Sequence, residues 1–390
     1  MSAPDRQRLY GLVVESELPL GLHRPAAPGD VPDVVVRWGE PRTRRAQGRP
    51  VSGTLLLDSG SRRYGYVFFE RPDGTHLLRF FGACDAELSA DLSEVTMHPV
   101  VGADPGICVV LTTGAVLSYV LVRRGHLVLH GSAVAVDGHA LAFVAPSGGG
   151  KSTMATLMCA DGAALVTDDV LRVDLDGPLA PVPAVRPGAT GLRLRKGADT
   201  LMTLFASGSP VRHVSADQRQ VLTPGCDVPD LLGLRAIVVP VPEPGLDALR
   251  VERVDPKEAA LDLLGFPRLL GWRDPAYLGR HLGEVAALVG RVPMLRAHVP
   301  WGPPFSPRIA PQLREVVAAL PAPDGGAHPT GTRAGAARRT PTSSTSSTSS
   351  TVPTASAEHT VSAEHTASVG VRPSRRSAAR VPTQPAPPGR

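Results

Sequence analysis

Apolar positions in the first hundred residues come in short runs divided by turn residues. Leu9–Glu15, Val34–Trp38, Thr54–Leu57, Tyr64–Glu70 and Thr75–Phe81 are rich in β-branched, aromatic and aliphatic side chains, which predicts strands. Pro72-Asp73-Gly74 between the last two predicts a hairpin turn. A small β-rich domain over residues 1–100 is expected. From residue 107 the pattern changes. Ile107–Val122 is an apolar run of helical length, interrupted by Thr112, Thr113 and Ser118. It falls short of the ~20 apolar residues a membrane span requires and is read as a buried helix.

Next come predicted strands at Leu127–Leu129, Ser132–Val136 and His139–Ala145, the last two joined by Asp137-Gly138. A Gly-rich loop follows, then a helix over Ser152–Cys159 ending at Asp161-Gly162. Ala164–Thr167 is a strand that terminates on Asp168 and Asp169, and Val170–Leu175 is another. Farther on, Leu234–Val239 reads as a strand, and Pro256–Leu264, Ala276–Leu288 and Ile309–Leu320 as helices. The expected class is α/β, with a catalytic domain over residues 101–320. Beyond it, TSSTSSTSST, the repeated SAEHT and a Pro/Arg-rich end cannot bury enough apolar surface to fold. Residues 321–390 are expected to be a disordered tail.

Charge changes the picture only by location. The chain carries a formal net charge of +5, and the tail alone holds eight Arg against three acids. The remaining residues therefore balance, giving no reason to expect nucleic-acid or membrane binding by the folded part. Four well-separated cysteines (Cys84, Cys108, Cys159, Cys226) without metal-ligand spacing read as buried thiols. The N-terminal residues lack a signal-type apolar stretch, so the cytoplasm is the expected compartment. Only Lys151, Lys196 and Lys257 occur against 38 Arg. A lysine retained against that bias can mark a place where a compact ammonium matters.

Lys151 sits in such a place. Ala145-Pro146-Ser147-Gly148-Gly149-Gly150-Lys151-Ser152-Thr153 matches the phosphate-binding pattern G-x-x-x-x-G-K-[ST], with Ala145 in the first glycine's position. The glycines allow successive backbone N–H groups to face phosphate oxygens, and the following helix adds its positive end. Lys151 then reaches the β- and γ-phosphates of ATP, and the Ser152 hydroxyl can ligate Mg²⁺. Asp168 and Asp169 return beside this loop at the end of the next strand. One carboxylate can hold the metal while the other accepts a proton from an attacking hydroxyl. Ser152 and Asp169 are the expected metal contacts; which aspartate acts as base stays open.

The segment His130–Val173, HGSAVAVDGHALAFVAPSGGGKSTMATLMCADGAALVTDDVLRV, resembles the HPr serine kinase/phosphorylase family. The resemblance implies a P-loop kinase fold related to the phosphoenolpyruvate carboxykinases. It gives His130 a role in orienting an aspartate or contacting phosphate. It also places phosphate-facing arginines among Arg186, Arg193 and Arg195. Thr153 stands where HPr kinases usually carry an acid. YGLVVESELPLGL (Tyr10–Leu22) is similar instead to HPr-kinase-related proteins encoded beside ribosomally made, modified peptides, some of which phosphorylate a precursor serine. The resemblance thus implies a serine kinase acting on a peptide or small protein. The alternatives are an HPr-type regulatory kinase/phosphorylase and a nucleotide-binding accessory protein without transfer activity. HPr kinases form hexamers, and homo-oligomerisation is left open here.

Overall fold

Leu9–Glu15 does not run as one strand. Tyr10 and Gly11 both take positive φ (54° and 77°) and turn the chain back, so that Asp5–Leu9 and Leu12–Ser16 form an antiparallel hairpin. The structure, a computed structural model, describes residues 5–21, 24–49, 51–60, 65–194, 198–205, 211–224 and 227–321. Tyr64, Arg195, Lys196, Cys226 and the tail from residue 322 lie outside them. The described fold is mixed α/β with several sheets.

The hairpin opens an eight-stranded sheet. It continues through Val34–Trp38, Glu94–Pro99, Cys84–Leu88, His76–Phe80, Tyr66–Glu70 and Thr54–Asp58 in spatial order. Cys84–Leu88 and Glu94–Pro99 were not anticipated, because acids at Asp85, Glu87 and Glu94 interrupt their apolar runs. Buried Asp85 is paired by Arg79 at 3.1 Å and Arg42 at 3.0 Å. Cys84, Cys108 and Cys159 are buried.

The run from residue 107 is helical over Gly106–Arg123 and is, among the described residues, the one segment long and apolar enough to cross a membrane. Most of it is buried, and it shares a core with the sheet. Midway it widens into a π turn, Thr112–Val116. Hydroxyls there bond back into the helix: Thr112 Oγ1 to the Cys108 carbonyl at 2.7 Å, Ser118 Oγ to that of Gly114 at 2.5 Å. Such back-bonding competes with the regular ladder and accompanies local unwinding.

A second sheet carries the glycine loop. Its middle strand, Leu232–Glu243, pairs in parallel with His139–Val144 on one side and with Met294–Pro300 on the other. Gly131–Val136 and Ala164–Thr167 extend it antiparallel beyond His139–Val144. All residues of His139–Val144 after the first are buried, and the helix Lys151–Ala160 packs against this sheet. A three-stranded sheet, Leu192–Leu194, Gln220–Thr223 and Val211–Val214, is inserted in sequence ahead of Leu232–Glu243. The helices Pro256–Leu264, Pro275–Val289 and Ile309–Ala318 form close to their expected bounds. The first two start on Asp255 and Asp274, whose carboxylates cap helix N–H groups, each followed by Pro at the first position.

The segment Phe266–Arg273 between those helices joins the two large sheets. The Phe266 carbonyl accepts from His130 N–H (2.8 Å), and Arg268 N–H donates to the Val128 carbonyl (3.2 Å). Gly271 and Leu56 carbonyls then accept from Asp58 and Arg273 N–H groups at 2.9 and 2.8 Å. Trp272 anchors this segment by stacking on Tyr277 (centroids 4.2 Å apart) and Tyr119 (6.0 Å).

Candidate active site

The loop leaves the end of His139–Val144 and turns into the helix Lys151–Ala160 within six residues, Ala145–Gly150. Gly148 and Gly150 hold φ of 85° and 95°, which side chains rarely tolerate. Gly149 has no room for one: a Cβ there would lie 2.7 Å from the Ala145 Cβ. The same closeness explains why a small residue serves at 145. Gly149 N–H donates to the Pro146 carbonyl (2.9 Å), closing the turn. Lys151, only 6% exposed, folds back and donates from Nζ to the carbonyls of Ala145 (2.9 Å) and Pro146 (3.1 Å).

Asp168 is buried at the end of the neighbouring strand. Its Oδ1 accepts from Ser132 Oγ (2.5 Å) and Ser152 Oγ (2.9 Å), and its Oδ2 from Arg193 N–H (2.9 Å). Burial pushes its pKa up, and the hydroxyl and N–H bonds offset this only in part.

Asp169 behaves oppositely. It adopts φ of 73°, which turns its side chain away from its neighbour's partners. Oδ2 accepts from Arg268 at 2.7 Å, and His130 Nδ1 lies 3.2 Å from Oδ1. Burial alone would raise its pKa; the Arg268 guanidinium, then the His130 contact, bring it well below the usual carboxylate range. The two adjacent carboxylates are thus driven in opposite directions.

The Arg268 guanidinium lies against the π turn. A Cβ on Gly114 would lie 2.8 Å from its guanidinium and 3.4 Å from Asp169 Oδ2, so glycine permits this approach. From the N-terminal hairpin, the buried Tyr10 hydroxyl donates to the Thr113 carbonyl at 2.9 Å. Single turns of π helix recur at functional sites.

One cavity of about 280 Å³ gathers most of these groups: His130, Ser147, Gly148, Gly150, Lys151, Ser152, Thr153, Asp168 and Asp169. Arg193 and Arg219 also line it, both paired with Asp217. Two of the expected site residues are placed apart from the expected arrangement. Ser152 bonds Asp168, while Asp169, the carboxylate expected beside it at the metal, faces Arg268 and His130. Arg186 does not line this cavity; Asp174 holds it at 2.6 Å, and it borders a separate space of about 40 Å³ under the Tyr10–Gly11 turn. Ser132, Arg219, Arg268 and Trp301 carried no sequence signal of their own. Arg268 is 99 residues from Asp169, and no spacing rule connects them.

No protein-family model matches the chain, and neither does any curated protein. A solved structure that matches is the Hpr(Ser) kinase/phosphatase from Coxiella burnetii. It is 13% identical over 49% of this chain and 93% of that chain, with a TM-score of 0.24. A likeness of that size leaves any activity to be argued from the residues themselves.

Proposed function

We propose that the chain is an ATP- and Mg²⁺-dependent serine kinase acting on a hydroxyl of a peptide or small protein. The observation that carries this reading is the convergence, in one cavity, of the glycine loop and two oppositely tuned aspartates.

The donor set suits the nucleotide and its metal. Gly148 and Gly150 take a backbone conformation that side chains rarely adopt, and at Gly149 and Gly150 a Cβ would collide with Ala145 and Trp301, so only glycines let the loop backbone turn toward a phosphate. Asp168 has two hydroxyls and an N–H as partners, and no cationic side chain pairs with it among the described residues. A carboxylate beside a hydroxyl is a hard oxygen site. No cluster of three or more His, Cys, Asp or Glu that could hold a metal occurs among the described residues; Mg²⁺ needs none, being bound through one or two carboxylates plus substrate phosphates. When bound there by Ser152 and Asp168, Mg²⁺ would neutralise the charge that develops on the phosphates during transfer.

In this reading Ser152 and Asp168 face the metal. Lys151 exchanges the Ala145 and Pro146 carbonyls for phosphate oxygens. Asp169 orients the acceptor hydroxyl and takes its proton, with Arg268 and His130 fixing the carboxylate. A weakly basic carboxylate is adequate where positioning and charge neutralisation supply most of the acceleration.

Incubation with ATP, Mg²⁺ and serine-bearing peptides is expected to release ADP and add one phosphate to an acceptor, read by mass. ATP binding with no transfer to any peptide or small protein offered would sink the kinase assignment.

Arg268→Gln tests the aspartate roles through pH. Asp169 must be ionised to act, and Arg268 keeps its protonation far to the acid side. The parent enzyme should therefore show no acid limb from this group between about pH 5 and 8. Without the guanidinium the Asp169 pKa climbs, and kcat/KM falls as pH is lowered through the new value. A variant profile of unchanged shape would show that Arg268 does not govern Asp169.

A further inference from the structure

The cavity has an apolar part that the phosphate chemistry leaves unused. Leu194, Leu201, Trp301 and Phe305 line it and also belong to the hydrophobic cluster beneath the loop helix. Trp301 and Phe305 are only partly buried and meet edge to face, centroids 5.3 Å apart at 89°. The position of Trp301 follows from the sheet. His139–Val144, Leu232–Glu243 and Met294–Pro300 are parallel, so the glycine loop and Trp301 leave their strands at the same sheet edge. Trp301 N–H donates to the Glu243 carbonyl at 3.2 Å, fixing the start of its segment there. The indole lies against the loop itself: a Cβ on Gly150 would be 2.5 Å from its ring.

An anion-binding loop that passes within one residue into an aromatic wall matches a ligand with a charged chain and a flat, apolar-faced end. We infer that Trp301, backed by Phe305, is the stacking platform for the base of the bound nucleotide. The inference rests on the nucleotide reading of the same cavity. Aromatic faces stack on any base, and such contacts contribute substantially to nucleic-acid-type ligands. The acceptor hydroxyl has to reach Asp169 instead. Gly150 is then required twice, for its backbone conformation and for contact with the indole.

Calorimetric titration of the full chain with ATP and with inorganic triphosphate, both with Mg²⁺, separates the base from the phosphates. In the parent protein ATP should bind more tightly than triphosphate. Trp301→Leu should lower that ratio about tenfold, and Trp301→Phe should largely restore it. Phe305→Leu, which leaves the indole against Gly150, should move the ratio the same way by less. A ratio unchanged in both leucine variants would overturn the base platform, even with triphosphate bound normally. A parent protein that binds no triphosphate would instead overturn the phosphate-loop reading, and this inference with it.

Discussion

Lys151→Ala is expected to abolish phosphoryl transfer, by on the order of a thousandfold or more, while the protein stays folded. The structure gives reasons for both halves. The ammonium now satisfies the carbonyls of Ala145 and Pro146, within reach of the cavity it lines. In the proposed reaction it moves onto the phosphates, where charge develops in the transition state. Removing it forfeits that neutralisation. The cost to stability includes those two hydrogen bonds, about 1.5–3 kcal/mol each for a charged donor, and is offset by no longer burying an ammonium. Lys151→Arg should fail nearly as badly, because a planar guanidinium cannot occupy the same closed turn. Transfer assays alongside thermal unfolding check both halves. Full activity in Lys151→Ala would remove the site assignment, whereas unfolding alone would indict only the loop's packing.

The loop was legible because its chemistry is local. Gly148, Gly150 and Lys151 act through backbone conformation and reach within a few residues, and neighbouring strand and helix patterns place them. The doubled aspartate was legible for a similar reason, as the end of the next strand. Their contrasting surroundings were not. Those depend on Ser132 and Ser152 converging on Asp168, and on Arg268 arriving at Asp169 from a segment that ties two sheets together. Arg186 lies away from the cavity because Asp174 holds it, and an arginine near a motif shows no direction in sequence. The N-terminal hairpin was hidden inside an apolar run, since nothing in Leu9–Glu15 except Tyr10-Gly11 marks a reversal. That turn puts the Tyr10 hydroxyl on the π turn beside Arg268, so the first strands bear on the site without lining it.

Asp168→Asn is expected to lose transfer on the order of a thousandfold and yet to melt at a higher temperature than the parent at neutral pH. Burial raises the folded-state pKa of Asp168 above the ordinary carboxylate value of 3.8. The folded protein then binds this proton more tightly than the unfolded chain does. Stability therefore falls as pH rises from the ordinary value through the raised one, and the full penalty is present above it. Asparagine carries no charge and escapes the penalty. Its oxygen can accept from Arg193 N–H while its amide donates to the Ser132 and Ser152 hydroxyls, so the three contacts at this side chain can be kept with the hydroxyls turned into acceptors. The melting advantage should shrink as pH is lowered toward 4, where the parent carboxyl also becomes neutral. A variant melting below the parent at neutral pH would mean that the hydroxyl and N–H bonds outweigh the buried charge. The combination expected here, more stability with less activity, is what a buried carboxylate kept for a cation should produce, since the unliganded protein bears its desolvation alone.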